Sequence, residues 1–251
     1  MTTPAPPAPP PRDLRPVVAF IGGVALVLAV TVVLLLINDD TTTPTAAAVT
    51  TAATTTTAPT TSPTLPILFE SHFDDTSFLT PYTAPDAMAI ESTPDGRGKF
   101  TALTGATCIG FYGANYGDVE VSFTVASDSM GTGTRFGALV FAELEEASGH
   151  YVAVTLDPAF RTIHFDSYSS DGGFLAIDEV PIPVEAGYDP EATTAVTLRL
   201  QGGAITASIN GFPVTTWNGP TEATSGMIGF ILYPDAVGHT AIFDDLVVRA
   251  L

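Results

Sequence analysis

The chain has 251 residues, with 27 Asp and Glu against 8 Lys and Arg, a formal net charge of −19. That charge excludes a nucleic-acid binder, which needs a basic surface to neutralise phosphates. A single Cys excludes a disulfide framework and a thiolate metal cluster.

Residues 1–16 (MTTPAPPAPPPRDLRP) are Pro-rich and read as a disordered cytoplasmic tail. Residues 17–37 (VVAFIGGVALVLAVTVVLLLI) run without a charge. As a helix they would span about 31 Å, the thickness of a bilayer's hydrocarbon core, so they are expected to be a transmembrane helix. The alternative, a cleaved signal peptide, has an apolar region of only about 7–15 residues. Its one A-x-A-like site, Ala46-Ala47-Ala48, lies well beyond the apolar run. Arg12 and Arg15 precede the span, and no Lys or Arg follows it until Arg97. A positive-inside bias of this kind predicts a single-pass plasma-membrane protein, N-terminus cytoplasmic and C-terminal domain extracellular. Residues 38–66 are mostly Thr, Ala and Pro, too poor in apolar surface to offset ordering entropy. They read as a linker or O-glycosylated stalk, reaching about 85 Å if extended.

The folded part is expected over residues 67–251, and its pattern has period two. From Asp118 to Val125 every odd position is apolar and every even one polar, and Ala204–Ile209 alternates likewise. Further strands are predicted at 67–73, 88–92, 98–103, 106–111, 135–144, 150–156, 162–168, 174–180, 194–201, 212–217, 226–233 and 240–249. Gly202-Gly203 and Asn210-Gly211 are dipeptides that two-residue hairpins prefer, because both accept positive φ. Many short strands with turn punctuation predict an all-β fold, an antiparallel jelly-roll β-sandwich.

The order of several short motifs resembles the concanavalin A-like lectin/glucanase superfamily, which includes laminin G and family 16 glycoside hydrolase domains. Phe69-Glu70-Ser71-His72-Phe73-Asp74-Asp75 is similar to its opening strand, and Tyr116-Gly117-Asp118-Val119-Glu120-Val121 to the Y-G-x-V-E strand of the family 16 enzymes. Phe136–Phe141 and Gly149–Val154 look like a strand pair of bacterial lectin-like domains. Val196–Leu200 leading to Ile209-Asn210-Gly211 is similar to the "L-R-V … V-N-G" run, and Phe243–Val248 resembles the closing strand. The resemblance covers essentially all of 67–251 and implies a sugar-binding or sugar-cleaving sandwich.

Cleavage with retention needs two carboxyl groups about 5–5.5 Å apart, and the family 16 enzymes draw theirs from an E-x-D-x-x-E strand. Registration on Gly149 puts His150, Val152 and Thr155 at those positions, and that motif occurs nowhere in the chain. The reading is therefore a non-catalytic module. The four His lack metal spacing. Cys108, between apolar residues, reads as a buried inert thiol.

Two features carry functional weight. The resemblance implies a structural calcium ion at Asp244, held with backbone carbonyls near the first strand. The alternative is an Asp that ends a strand or bonds a turn amide. On 162–168, His164, Asp166 and Tyr168 share a face with Thr162 and offer hydrogen bonds to a sugar; the alternative is an ordinary solvated sheet face. Trp217 and Tyr233 are candidate stacking platforms, or else sandwich-edge packing. The expectation is a membrane-anchored, extracytoplasmic carbohydrate-binding module for neutral polysaccharide or cell-wall glycan. A laminin G-type protein-interaction domain is the alternative, and a glycosidase with unrecognised residues the third reading.

Overall fold

The computed structural model describes residues 64–82, 86–128, 133–145 and 148–251. The predicted tail, membrane span and most of the linker lie outside the described residues. Among the described residues no helix is long and apolar enough to cross a membrane.

Two antiparallel sheets form a sandwich. The strands are β1 (Ile67–Ser71), β2 (Leu79–Pro81), β3 (Met88–Ser92), β4 (Gly98–Ala102), β5 (Cys108–Tyr116), β6 (Val119–Ala126), β7 (Arg135–Glu145) and β8 (Ser148–Asp157). They continue as β9 (Thr162–Tyr168), β10 (Phe174–Pro181), β11 (Thr194–Gln201), β12 (Ala204–Ile209), β13 (Phe212–Trp217), β14 (Gly226–Tyr233) and β15 (Thr240–Ala250). A 3-10 turn, Val184–Ala186, follows β10. The eight-stranded sheet runs β13-β12-β11-β6-β15-β4-β3, with β1 also on β15, and the seven-stranded sheet runs β10-β9-β8-β7-β14-β5-β2.

Local chemistry explains the elements. The alternation of β6 buries Val119, Val121, Phe123 and Val125 and leaves the residues between them half-buried. The β11–β12 and β12–β13 hairpins turn at Gly202-Gly203 and Asn210-Gly211, and all four residues have positive φ. Asn210 fixes its turn by accepting the Ala195 N–H and donating to the Ala186 carbonyl. The first strand was predicted to reach residue 73. It stops at Ser71, because Phe73 takes φ 60° to turn its ring inward. Two segments lay outside the period-two reading: three-residue β2, and the continuation of β5 through Tyr112–Tyr116.

The core lies between the sheets. Phe230 of β14 packs against Phe73, Phe100, Phe123 and Phe243 at ring-centroid distances of 5.5, 6.3, 5.4 and 4.5 Å. Cys108 is fully buried, and burial pushes its thiol up to about 11, so it behaves as a small apolar residue. At the β10/β13 edge Trp217 stacks on Phe165 at 5.7 Å, and its Nε1 donates to Asp178 Oδ2 at 2.6 Å. The only Trp of the chain is thus 5% exposed and clamps the two sheets together.

A second, smaller cluster lies on the other face of the seven-stranded sheet. Ile109, Phe111, Leu139, Ala153 and Ile231 are buried there, with Tyr151, Met227 and Tyr233 packed on them. This outer face has an apolar floor, so it differs from an ordinary solvated sheet face.

Candidate glycan-binding face

The site stands on that floor. Along β9, Ile163 and Phe165 enter the core while His164, Asp166 and Tyr168 point outward, as the period of a strand requires. The β8–β9 register sets Tyr151 opposite Tyr168, Ala153 opposite Asp166 and Thr155 opposite His164. The Tyr151 and Tyr168 rings stack at 4.5 Å, and Phe174 of the edge strand β10 lies 4.4 Å from Tyr168. Tyr233 arrives from β14 with its hydroxyl 3.3 Å from that of Tyr168. Arg135 of β7 lies over the Tyr233 ring, 4.8 Å from its centroid, and its Nη1 donates to Asp166 Oδ2 at 2.8 Å.

Four of the five predicted sugar-binding residues, His164, Asp166, Tyr168 and Tyr233, therefore share one face. Trp217 does not, because its indole fills the gap between the sheets. Arg135 and Tyr151 were missed by sequence reasoning. The signal for Tyr151 was present: the β8 and β9 segments flank a short turn, and counting back from it pairs Tyr151 with Tyr168.

Electrostatics make the face a set of neutral donors around one ion pair. Burial, and then the neighbouring tyrosines, raise the Tyr151 and Tyr233 hydroxyls well above the ordinary phenol range. Burial raises Tyr168 as well. His164 is lowered, first by burial and then by the Arg135 charge, so its imidazole is neutral at neutral pH. Its Nε2 lies 3.0 Å from Thr162 Oγ1. Aromatic rings over an apolar floor, edged by hydroxyls and one carboxylate, can stack a sugar ring and hold its hydroxyls.

At one end of this face a cavity of about 410 Å³ is lined by residues that include Asn115, Glu143, Ser225 and Met227. Met227 also packs on the floor. Beside it His150 sits between Glu143 and Glu222, 3.7 and 3.8 Å from their carboxylates. Val152 is buried between the sheets and Thr155 faces outward, so the three positions registered on the enzyme motif do not share a face. The outward residues of β8 are Tyr151, Ala153 and Thr155. Asp157, at the end of β8, accepts the N–H groups of Ala159 and Phe160 in the turn that follows.

Away from this face, Asp244 lies on β15 where the pairing with β6 shifts register. Ligand atoms of His72, Asp244 and Asp245 lie within 4.8 Å of one another. His72 Nδ1 is 3.0 Å from Asp245 Oδ1, and Asp244 Oδ1 accepts the Asp245 N–H. Burial raises Asp244 above the ordinary carboxylate range, and the Asp245 charge adds to it. Two adjacent carboxylates fit a hard divalent cation, which takes oxygen ligands. The imidazole is a poorer donor for such an ion.

No protein-family model matches the chain, and no curated protein matches it in sequence. Solved structures do. The carbohydrate-binding module CBM66 from Bacillus subtilis is similar with a TM-score of 0.52 at 12% identity, over 69% of this chain and 96% of that one. A Bacillus licheniformis β-glucanase is similar with a TM-score of 0.54 at 11% identity, over 74% and 98%. A Bacillus subtilis protein of unknown function with a galectin-like fold has a TM-score of 0.54 at 14% identity, over 73% and 96%. The fold is the jelly-roll sandwich of these structures. Similar structures include both a carbohydrate-binding module and glycosidases.

Proposed function

We propose that the chain is a membrane-anchored, extracytoplasmic carbohydrate-binding module that holds neutral polysaccharide without cutting it. One observation carries the reading: Tyr151, Tyr168 and Tyr233 gather with the Arg135–Asp166 pair over a buried apolar floor. Flat neutral rings over apolar ground suit the faces of pyranose or furanose sugars. A net charge of −19 repels strongly anionic glycans, so neutral wall or environmental polysaccharide is the favoured ligand class. The similar carbohydrate-binding module and β-glucanase support a sugar ligand on this fold.

The absence of cutting rests on the carboxylates. Asp166 is tied to Arg135 and Asp157 to its turn, and Glu143 and Glu222 flank His150 at the end of the face instead of projecting from one strand as in the E-x-D-x-x-E motif. Without a paired nucleophile and proton donor on that strand the glycosidic bond has no low-barrier route. Anchoring rests on the uncharged run 17–37 and on Arg12 and Arg15 before it. A structural calcium ion at Asp244 and Asp245 completes the proposal.

The test uses the full-length chain in detergent, presented with insoluble β-glucan, mannan and a strongly anionic glycan. Co-sedimentation with a neutral glycan, lost in Tyr151→Ala, with no reducing sugar released, is the expected result. Reducing-sugar release abolished by one carboxylate substitution would make it an enzyme. For topology, protease added to intact cells should remove the C-terminal domain, and a fully protected C-terminal tag would reverse the orientation.

One observation favours a second reading, a protein-interaction domain. Edge strand β10 leaves Phe174 and Ile177 about three-fifths exposed, at 58% and 60%. Capture of one surface protein with no binding to any neutral glycan would favour it.

A further inference from the structure

Two buried polar atoms on the outer face make no hydrogen bond among the described residues: Thr155 Oγ1 and Asp166 Oδ1. Both residues are 1% exposed. They come from neighbouring strands one register step apart, since Thr155 pairs with His164 and Ala153 with Asp166. A buried acceptor or hydroxyl without a partner is destabilising, because it has lost its water and gained nothing in exchange. Such groups are rare in a settled core and mark places where something else supplies the bond.

The register shows which residues flank them. On β7, Gly137 stands beside Thr155, and Arg135 is two residues before it. Any side chain at Gly137 would collide with the Val154 carbonyl oxygen, so that position stays bare. Arg135 crosses β8 to reach Asp166 on β9, and the registers put Thr155 on the diagonal between the two. The guanidinium rests over the Tyr233 ring. The Arg135 side chain, 22% exposed and bonded to the other oxygen of Asp166, thus stands on the solvent side of the two unused hydrogen-bonding atoms.

Resting on the glycan-binding reading, we propose that Thr155 Oγ1 and Asp166 Oδ1 form a hydroxyl-recognition subsite for one sugar residue, uncovered when Arg135 lifts. The carboxylate oxygen only accepts, so the ligand group facing it must donate. The Thr hydroxyl donates or accepts and takes an adjacent hydroxyl. The subsite therefore selects a neutral sugar with two free neighbouring hydroxyls and rejects the same sugar when these are O-methylated. A site built to bond a hydroxyl rejects an analogue lacking it far more strongly than an apolar pocket rejects a misfit, because its own buried polar groups are then stranded.

The experiment measures affinity of the full-length chain in detergent for soluble laminarin, barley β-glucan and yeast mannan, with O-methylated forms of whichever binds. Thr155→Val keeps the shape and removes the hydroxyl, and Asp166→Asn keeps the shape and removes the charge. The expected result is about a tenfold loss for Thr155→Val and a larger one for Asp166→Asn, with O-methylation matching the loss. The melting temperature of Thr155→Val should stay level or rise, because a stranded hydroxyl has gone. That combination separates a ligand contact from a structural one. If the wild type binds a neutral glycan, Tyr151→Ala weakens it and both subsite variants bind as the wild type does, the subsite is wrong and the glycan reading stands. If the wild type binds none of the three, the glycan reading falls and the subsite with it. If Asp166→Asn fails to fold, Thr155→Val alone decides.

Discussion

On the outer face of the eight-stranded sheet, Glu120, Ser122 and Thr124 of β6 stand beside Thr197 and Arg199 of β11, none of them buried. On the outer face of the seven-stranded sheet, Leu139, Ala153 and Ile231 are fully buried and carry a tyrosine cluster above them. One sandwich thus has a wetted side and a covered side. The wetted side needs only hydration and contributes stability through its inner face. The covered side adds a second apolar layer, and an ion pair is held above it at low dielectric. A sheet apolar on both faces requires either a covering structure or a ligand, and here aromatic and Arg side chains supply part of the cover.

The two faces carry matched ion pairs that test this contrast most sharply. Arg135–Asp166 sits on the covered side with the Asp side chain 1% exposed, whereas Arg249–Glu120 sits on the wetted side at 4.0 Å with both side chains over a quarter exposed. Arg135→Ala strands a buried carboxylate and should cost about 4 kcal/mol in chemical denaturation. Arg249→Ala should cost under about 1 kcal/mol. Equal losses would mean that the outer floor does not exclude water.

Next in size is the floor itself. Leu139→Ala removes a fully buried side chain and should cost about 3 kcal/mol, as core truncations do. Thr197→Ala, at a half-buried site on the opposite side, should change stability by no more than about 0.5 kcal/mol. A loss below about 1 kcal/mol for Leu139→Ala would reduce the floor to loose surface packing.

The same contrast decides what the sequence could show. Strands of the wetted sheet alternate, so β6, β11 and β12 were legible residue by residue, and their Gly-Gly and Asn-Gly turns fixed the hairpins. The central strands β7 and β14 of the covered sheet are buried on both sides, so Phe136–Phe141 and Gly226–Leu232 read as continuous apolar runs. Such runs locate a strand but conceal which residues face outward. Leu139 and Ile231 could not be told from core residues in that way, nor could Arg135 be seen to reach across a strand. Trp217 misled for a different reason: a lone Trp at a strand end suits a sugar platform and a sandwich clamp equally. Only its partner Asp178, a strand away in the other sheet, separates the two. The β9 face was legible because its polar residues interrupt the run at period two.

A smaller effect distinguishes the histidines. His164 on the covered side is lowered by burial, so the unfolded chain takes up its proton more readily than the folded one. Its neutral form contributes stability that is whole above pH 6.5 and is lost as pH falls toward the folded value. His72, exposed, is raised through its hydrogen bond to Asp245, and its contribution has the opposite sign: whole below 6.5 and lost as pH rises through the folded value. Melting temperatures from pH 7.5 to 5 should therefore fall less steeply in His164→Asn than in wild type, and more steeply in His72→Asn. Parallel curves for all three proteins would show that neither environment differs from water.

The smallest expected effect concerns Asp244, at the bulge of β15 on the wetted sheet. Its carboxyl is raised by burial and by the adjacent Asp245, so the folded state holds the proton better than the unfolded chain does. Its ionised form thus opposes folding at neutral pH, and the opposition fades as pH falls through the folded value and then the unfolded one near 3.8. A divalent cation between the two carboxylates removes the same repulsion by another route, and because it binds only the folded chain it raises the melting temperature by mass action. Asp244→Asn should melt at or slightly above the wild type in chelator and gain nothing from millimolar calcium, whereas the wild type should gain a few degrees. Magnesium should serve poorly, since it demands a tighter octahedron and holds its water. Identical melts in calcium and chelator for both proteins would remove the ion and leave Asp244 as the acceptor for the Asp245 amide where the strand bulges.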